Sequence, residues 1–212
     1  MYWVTKYLFS LYTILTGRRI TVFNRHLIPQ KGPFIVVANH MSEMDPWIIA
    51  QAFPRQKIHF WAKKELVSFP LRYREYRSKK KSPITALLFT VATLIVVRYS
   101  SVVPVDRANL SAKINKNAIR LSGKLIAGGG VIGIFGSGGI GHEGDAKAIF
   151  VKLAQKHHVP IVPIYVAQSH VIIGTLVPCK SLAMDYKKHR STDEIAQSIM
   201  TAIQKLKFSV TH

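Results

Sequence analysis

The sequence is poor in cysteine and in acidic residues, and both shortages narrow its possible roles. Cys179 is the single cysteine among 212 residues, which excludes an internal disulfide and favours a reducing compartment. Ten Asp and Glu residues stand against 30 Lys and Arg residues, which leaves a formal net charge of +20. An excess of this size indicates a polyanionic partner: nucleic acid, an anionic membrane surface or an acidic substrate.

Several recognisable patterns are also missing. The His, Asp and Glu residues show no recurrent ligand spacing, so we predict no metal site. The glycines of residues 128–139 are not followed by a Lys-Ser or Lys-Thr pair at P-loop spacing, which argues against that type of phosphate-binding loop. Hydrophobic residues nevertheless make up 48% of the chain. A disordered basic tail is therefore excluded, and one folded domain with a sizeable core is expected.

The first 19 residues are apolar and aromatic, but Lys6 interrupts them and Arg18 and Arg19 close them. They fall short of the ~20 apolar residues that a membrane span needs. A signal peptide is disfavoured because the basic residues flank the wrong end and no small-residue cleavage site is evident. We expect a helix in the membrane interface, with a single transmembrane anchor as the alternative. Its headgroup-level aromatic residues would be Tyr2, Trp3, Tyr7 and Phe9.

Residues 34–50 predict a buried strand, a polar turn and a new helix in quick succession. Residues 35–38 are apolar and mostly β-branched, and Asp45 before Pro46 predicts an N-cap with proline at the first helical position. His40 therefore leaves the carboxyl end of the strand, and the Asp45 carboxylate can fold back onto its imidazole. Such a contact fixes the histidine tautomer and raises its basicity for taking a proton from a hydroxyl.

This His-x4-Asp turn, with Asn39 and Ser42 inside it, resembles the first signature of the glycerolipid acyltransferase family. The best known members of that family are the lysophosphatidic acid acyltransferases. The resemblance implies that His40 and Asp45 are catalytic and that Asn39 and Ser42 contact substrate. A family pattern of Lys, two residues and Leu, followed by proline, is matched by Lys63 with its neighbours. The resemblance implies that Lys63 grips the phosphate of the acceptor.

The family's second signature is a hydrophobic strand that ends in arginine. A strand predicted over residues 100–105 ends in Asp106 and Arg107, so the resemblance implies that Arg107 contacts the acceptor's phosphate. Arginine suits that role because its planar fork pairs two oxygens and stays charged.

The third signature is altered in this chain. The family pattern Phe-Pro-Glu-Gly-Thr-Arg corresponds to residues 135–140, which read FGSGGI, so the Glu and the Arg are absent. Small residues here still permit exposed backbone N–H groups that can hold phosphate or a tetrahedral oxyanion. We therefore retain Ser137, Gly138 and Gly139 as predicted substrate contacts.

The fourth signature, a hydrophobic pattern with two prolines, resembles residues 159–166, VPIVPIYV. In the family this strand is thought to shape the acyl-donor side of the site. Because proline cannot donate a ladder hydrogen bond, Pro160 and Pro163 predict an edge strand.

Residues 72–82, RYREYRSKKKS, form a basic segment that the family pattern lacks. Basic residues interleaved with tyrosines suit either stacking on single-stranded nucleic acid or adhesion to anionic lipid. We favour lipid because apolar runs flank the segment. The apolar run at residues 83–97 is shorter than a comfortable membrane span, and it predicts a buried or membrane-facing helix.

Alternating helices and buried strands predict a single α/β domain over residues 20–212, with a central mixed, largely parallel sheet flanked by helices. A membrane-associating helix over residues 1–19 would precede it. The resemblance implies an O-acyltransferase that moves a fatty acyl group from acyl-CoA or acyl-ACP to a lysophospholipid, first of all 1-acyl-glycerol-3-phosphate, giving phosphatidic acid. No bound cofactor is expected. The enzyme would lie peripherally or monotopically on the cytoplasmic face of an anionic membrane.

Three alternatives stay open at the level of the sequence. The acceptor can be a different lysolipid, because the altered third signature lacks two side chains that normally help to bind it. The chain can also be a degenerate relative that holds lipid without turnover. A nucleic-acid binder would use the basic surface, but no nucleic acid is expected, because charge explains neither the His-to-Asp turn nor the ordered signatures.

Overall fold

In the computed structural model, which describes residues 2–79, 82–99, 102–106, 115–137, 148–187 and 190–210, seven strands form one sheet. Each strand corresponds to a short apolar stretch, as expected of a sheet that is covered on both faces. The strands are β1 (Thr21–Phe23), β2 (Phe34–Ala38), β3 (Ile58–Lys63), β4 (Val103–Val105), β5 (Val131–Phe135), β6 (Ile161–Ala167) and β7 (His170–Ile173).

Helices connect and cover these strands. The α-helices are α1 (Tyr2–Leu15), α2 (Asp45–Ala52), α3 (Phe69–Ser78), α4 (Pro83–Tyr99), α5 (Lys116–Ala127), α6 (Ile149–His157), α7 (Cys179–Lys187) and α8 (Thr192–Leu206). Short 3-10 turns lie at Arg25–Leu27, Lys64–Val67 and Lys207–Val210. The helix α8 begins with a capping box in which Ser191 and Glu194 each satisfy the other's backbone N–H group.

The strand order across the sheet is β1-β7-β6-β2-β5-β3-β4. Neighbouring strands are parallel except β6 and β7, which are antiparallel. The prediction of a single α/β domain with a mixed, largely parallel sheet is therefore confirmed. The strand β2 is central, and its carboxyl end lies at the same edge of the sheet as those of β3, β4, β5 and β6. Ligand sites of open α/β sheets form at this edge.

Side chains of β2 alternate between two apolar layers, as the two-residue period of a strand requires. Ile35 and Val37 pack into the layer that contains buried residues of α5, α6, α7 and α8. Phe34, Val36 and Ala38 pack into the opposite layer, which contains buried residues of α2. The whole of β2 is buried, so the turn that follows it is anchored in the core of the fold.

The strand with two prolines is not an edge strand, and that prediction is wrong. The strand β6 lies between β2 and β7. Pro160 precedes it, and its carbonyl accepts from the backbone N–H of Ile35. Pro163 lies one position before Ile164, the first β6 residue paired with β7, and its carbonyl accepts from Gly174 just beyond β7. Its missing N–H therefore falls where the β7 ladder has already ended.

The N-terminal helix α1 packs on the domain through α2 and α4. Lys6 is buried in this contact, and its Nζ donates to the carbonyl oxygen of Phe53 at 2.7 Å. Burial and the charge of Arg25 lower the pKa of Lys6 to about 8. Phe9, predicted at headgroup depth, lies against Trp47 with 5.9 Å between ring centroids. Among the described residues, no helix combines the length and apolar character needed to cross a bilayer.

Candidate active site

The site is built on the turn between β2 and α2. His40 follows the end of β2 by two residues, and Asp45 begins α2. The Nδ1 atom of His40 lies 2.9 Å from Oδ2 of Asp45, and the two residues are 6% and 0% exposed. Because a carboxylate only accepts hydrogen bonds, Nδ1 carries the proton and Nε2 is the basic nitrogen of the neutral ring. The predicted contact between these two side chains is present.

The Asp45 carboxylate does not cap the helix, which corrects the sequence interpretation. The N-cap residue is Met44, and Asp45 itself is the first residue of α2, with Pro46 in the first turn as predicted. Its Oδ2 accepts backbone N–H groups of Met41 at 2.6 Å and Ser42 at 2.8 Å. These donors lie before the helix, so the carboxylate folds back over the turn and fixes it around His40.

Aromatic stacking holds the other side of the imidazole. The ring of His40 lies on Phe135, with centroids 3.9 Å apart and planes inclined by 13°. Phe135 in turn stacks on Phe60 at 5.6 Å. Gly133 makes room for this stack, because a side-chain carbon there would collide with the Phe60 ring. Phe135 is one of the residues retained from the third signature, but no sequence pattern predicts its contact with His40.

His40 opens into a cavity of about 440 Å³. The lining is predominantly apolar and comes mainly from α1, the turn before α2, α2 itself, β3, α3 and α4, with Phe135 from β5. Its apolar and aromatic members are Tyr2, Met44, Pro46, Trp47, Ala50, Ile58, Phe60, Trp61, Ala62, Leu66, Tyr76, Val97, Val102 and Phe135. An apolar cavity of this size can receive an acyl chain or a lipid, and the ligand would then lie beside the basic nitrogen of His40.

Tyr2 of α1 lines this cavity, so its predicted position at headgroup depth is wrong. Its side chain is buried, and its hydroxyl oxygen accepts from the backbone N–H of Ile58 at 3.3 Å. Burial raises the pKa of Tyr2, and the hydrogen bond from Ile58 partly offsets that effect. The helix α1 therefore contributes to the wall of the site.

Asn39 and Ser42 hold the turn instead of lining the cavity. The side-chain amide of Asn39 donates to the Val166 carbonyl at 2.8 Å and accepts from the Val166 N–H at 2.7 Å. These two bonds continue the pairing of β2 with β6 by one residue. The hydroxyl of Ser42 accepts from the backbone N–H of Met44 at 3.0 Å. The geometry points to positioning roles, and it does not support the predicted substrate contacts of Asn39 and Ser42.

The remaining predicted contacts divide into three groups. Lys63 ends β3, is exposed, and lines the cavity together with His40. Ser137 is buried just after β5 and is not among the lining residues. Arg107, Gly138 and Gly139 lie outside the described residues.

A polar cluster on α3 and α4 was missed by the sequence interpretation. Arg72, predicted to be part of a lipid-facing basic surface, is 7% exposed and lines the cavity. Its Nη1 donates to Glu75 at 2.6 Å and its Nη2 to the Tyr76 hydroxyl at 2.8 Å. The Tyr76 hydroxyl also lies 3.0 Å from Thr93 Oγ1 on α4. The available signal was the i, i+3, i+4 spacing of Arg72, Glu75 and Tyr76 on one helix face.

Glu75 is the anion of this cluster. Burial alone would raise the pKa of its carboxyl group, but hydrogen bonds and charges from Arg72 and then Lys79 outweigh that effect and lower it. The carboxylate therefore stays ionised and partly neutralises Arg72 within the cavity wall.

A family model described as Acyltransferase matches residues 19–80, the part of the chain that holds the His40 turn, β3 and α3. This match confirms the resemblance to the acyltransferase family that is seen in the sequence. Over 209 residues the chain is 28% identical to a probable 1-acyl-sn-glycerol-3-phosphate acyltransferase of Mycoplasma genitalium, covering 95% of this chain and 68% of that relative.

A solved structure shares the fold. The chain superposes on the 1-acyl-sn-glycerophosphate (LPA) acyltransferase PlsC from Thermotoga maritima with a TM-score of 0.59 and 19% identity. The match covers 97% of this chain and 79% of that one.

Proposed function

We propose that this acyltransferase moves a fatty acyl group from a thioester donor to the free hydroxyl of 1-acyl-glycerol-3-phosphate. The observation that carries the proposal is the 2.9 Å contact between His40 Nδ1 and Asp45 Oδ2 at the wall of an apolar cavity. The printed name of the Mycoplasma genitalium relative supports the choice of acceptor. The donor is acyl-CoA or acyl-ACP.

In the proposed reaction, Nε2 of His40 takes the proton of the acceptor hydroxyl while its oxygen attacks the thioester carbonyl carbon. A carbon–oxygen bond forms, and the carbonyl electron pair moves onto its oxygen. The tetrahedral intermediate then expels the thiolate, which receives the proton from His40. Asp45 stays ionised throughout and stabilises the imidazolium. No covalent enzyme intermediate is required.

Cations and backbone donors complete the proposed site. Lys63 lines the same cavity as His40, so its ammonium group is available to the acceptor phosphate. Arg107 and the backbone N–H groups of Gly138 and Gly139 keep their predicted roles, the first on the phosphate and the others on the oxyanion.

We further propose that the enzyme works on an anionic membrane through α1 and α4, which contact each other. Both helices expose large apolar side chains, and the chain as a whole carries a net charge of +20. Apolar side chains that enter the interface and cations on headgroups favour the same bound state, with about 1 kcal/mol for each cation near the surface. The exposed residues are Trp3, Val4, Tyr7, Leu8, Leu11, Tyr12, Ile14 and Leu15 of α1, and Ile84, Leu87, Leu88, Phe89, Val91 and Ile95 of α4. We place the protein on the cytoplasmic face.

A second candidate is a relative that holds lipid without turnover, or one that acylates another lysolipid. It is favoured by Ser137 and Ile140, which stand where the family pattern has Glu and Arg. Acyl transfer to a panel of lysolipids separates these alternatives from the proposed acceptor.

The test uses purified protein, lysophosphatidic acid in anionic vesicles, and acyl-CoA or acyl-ACP as donor. Wild-type protein should form phosphatidic acid with at least one donor. Replacing His40 with Ala should reduce kcat by about 10²- to 10⁴-fold, because the general base is lost. Co-sedimentation with vesicles should be unchanged, because His40 lies in the cavity and not on the exposed faces of α1 and α4.

Retained turnover in folded His40→Ala protein would contradict the mechanism. A matched control is His59→Ala, which removes a histidine of β3 that does not line the cavity. Absence of transfer by wild-type protein to every acceptor, with lipid binding intact, would favour the lipid-holding alternative.

A further inference from the structure

Arg72 is an unusual component for the wall of an apolar cavity. It is 7% exposed and lies on α3, which packs against α4. A buried guanidinium is costly unless hydrogen bonds and an opposite charge satisfy it. Only part of that requirement is met here: Nη1 donates to Glu75 and Nη2 to Tyr76, while Nε is buried and has no partner among the described residues.

The unused donors have a defined shape. A guanidinium carries five N–H groups in one plane, and the two hydrogen bonds to Glu75 and Tyr76 use two of them. The free Nε–H can act together with the second hydrogen of a neighbouring nitrogen to hold two oxygens of one group. The Tyr76 ring, 4.4 Å below the guanidinium, and the Tyr76–Thr93 contact keep the plane in place.

The cavity carries equal numbers of cations and carboxylates, so free hydrogen-bond donors, and not an excess of positive charge, favour an anion at this position. Its lining contains two permanent cations, Lys63 and Arg72, and two carboxylates, Glu43 and Glu75. Glu43 is exposed, and Glu75 is already paired with both Arg72 and Lys79. The rest of the lining is predominantly apolar. A phosphate that enters the cavity therefore meets a guanidinium with free donors, because Glu75 uses only one of them. The apolar surroundings strengthen charge-assisted hydrogen bonds.

We propose that Arg72 is a substrate-binding residue that grips the phosphate monoester of the acceptor through its free donors and so sets the preference for phosphate-bearing lysolipids. The inference rests on the proposed function for its choice of ligand. It assigns to α3 part of the acceptor binding that the missing Glu and Arg of the third signature would otherwise provide. Glu75 and Tyr76 are positioning residues that hold the guanidinium.

The experiment measures equilibrium binding, so that it gives a result even without turnover. Lysophosphatidic acid and the neutral 1-monoacylglycerol are titrated into the full-length protein in neutral detergent. Replacing Arg72 with Gln should weaken lysophosphatidic acid binding by about 10- to 100-fold, as expected for a lost charge-assisted contact. Monoacylglycerol binding should change by less than about twofold, because that ligand has no group for Arg72 to hold.

Two further variants separate binding from folding. Arg74→Gln makes the same change on an exposed residue of α3, and it should alter the affinities for both lipids by the same small factor. Arg72→Lys keeps the charge but not the fork, and it should restore part of the phosphate preference. If Arg72 has a purely structural role, Arg72→Gln should weaken the binding of both lipids by the same factor. That result would overturn the proposal.

Coenzyme A also carries a phosphate monoester, so a third titration uses coenzyme A alone. If Arg72→Gln loses affinity for coenzyme A alone, Arg72 binds the donor, and its assignment to the acceptor is overturned. Failure of the proposed function has a different signature, namely wild-type protein that binds lysophosphatidic acid but acylates no acceptor. Binding of lysophosphatidic acid that is equal in wild type and Arg72→Gln would contradict only the role of Arg72.

Discussion

Two walls of the same cavity are built in contrasting ways. The β2–α2 turn holds one oxygen of its central carboxylate within six residues, because His40, Met41 and Ser42 all direct a donor at Oδ2 of Asp45. The α3–α4 wall leaves the Nε of Arg72 without a partner among the described residues and depends on a contact with a second helix. Among the described residues, the first wall has an acceptor without a partner, Oδ1 of Asp45, whereas the second has an unused donor.

This difference separates the wall that positions the general base from the wall that selects the acceptor. A general base must have one tautomer and one orientation, so its surroundings should leave no freedom. A group that grips a ligand needs unsatisfied donors, so its surroundings should be completed only when the ligand binds. We therefore expect substitutions in the turn to act mainly on kcat, and substitutions in the α3–α4 wall to act mainly on acceptor affinity.

The sharpest test of the β2–α2 wall is Asp45→Asn. The substitution removes the charge that stabilises the imidazolium and presents an amide group to backbone donors, so kcat should fall by about 10²- to 10⁴-fold. Weakening hydrogen bonds to a buried carboxylate should also lower the free energy of unfolding by about 1.5 to 3 kcal/mol. Steady-state kinetics and thermal unfolding measure the two effects.

Asp193→Asn is the matched control for this substitution, because Asp193 lies exposed in the first turn of α8. It should leave kcat unchanged. An Asp45→Asn protein that kept its turnover would break the proposed distinction between the two walls, because the turn would then serve stability alone.

A smaller effect is expected when the stacking partner of His40 is changed. Phe135→Leu keeps most of the volume and should cost less than about 1.5 kcal/mol of stability. The imidazole loses its flat support, and misplacement of the base should lower kcat by roughly 10- to 100-fold. Phe53→Leu is the control, since Phe53 is also buried but packs on Phe34 at 6.0 Å. Equal kcat values for the two variants would contradict a role of stacking in catalysis.

Contacts between residues that are close in the sequence were predicted correctly more often than contacts between distant residues. The contact between His40 and Asp45 spans five positions, so the spacing and the signals for a strand and a helix were enough to predict it. The order of buried strands likewise predicted the α/β class, because each strand is a short apolar stretch. Which oxygen of Asp45 accepts, and that Met44 is the N-cap, depend on turn geometry that no pattern encodes.

Errors arose where tertiary packing overrode a local tendency. Arg72 lies in a basic, tyrosine-containing segment, and that composition is typical of a surface; its burial depends on α4 packing against α3. The missing donor of proline predicts an edge position for Pro163, but β7 ends at that level and requires no donor from it. The aromatic N-terminus predicts an interfacial Tyr2, but its hydroxyl contacts the backbone of β3, 56 positions along the chain.

The smallest expected effect concerns Tyr76, the residue that links the α3–α4 wall to α4. Tyr76→Phe keeps the ring beneath Arg72 but removes the hydroxyl that contacts Arg72 Nη2 and Thr93. Losing these hydrogen bonds should lower the free energy of unfolding by about 0.5 to 1.5 kcal/mol. The freed guanidinium is less well oriented, so lysophosphatidic acid binding should weaken by about two- to fivefold while monoacylglycerol binding stays the same.

Tyr73→Phe removes the same atom from a residue of α3 whose ring stacks on Phe69, and it should leave both affinities unchanged. Because the effect of Tyr76→Phe acts through Arg72, it should vanish when Arg72 is already Gln, and a double-mutant cycle measures this dependence. Additive losses in the double variant would mean that Tyr76 stabilises α3 and α4 without orienting Arg72. The two walls would then differ in stability but not in their use of unsatisfied donors.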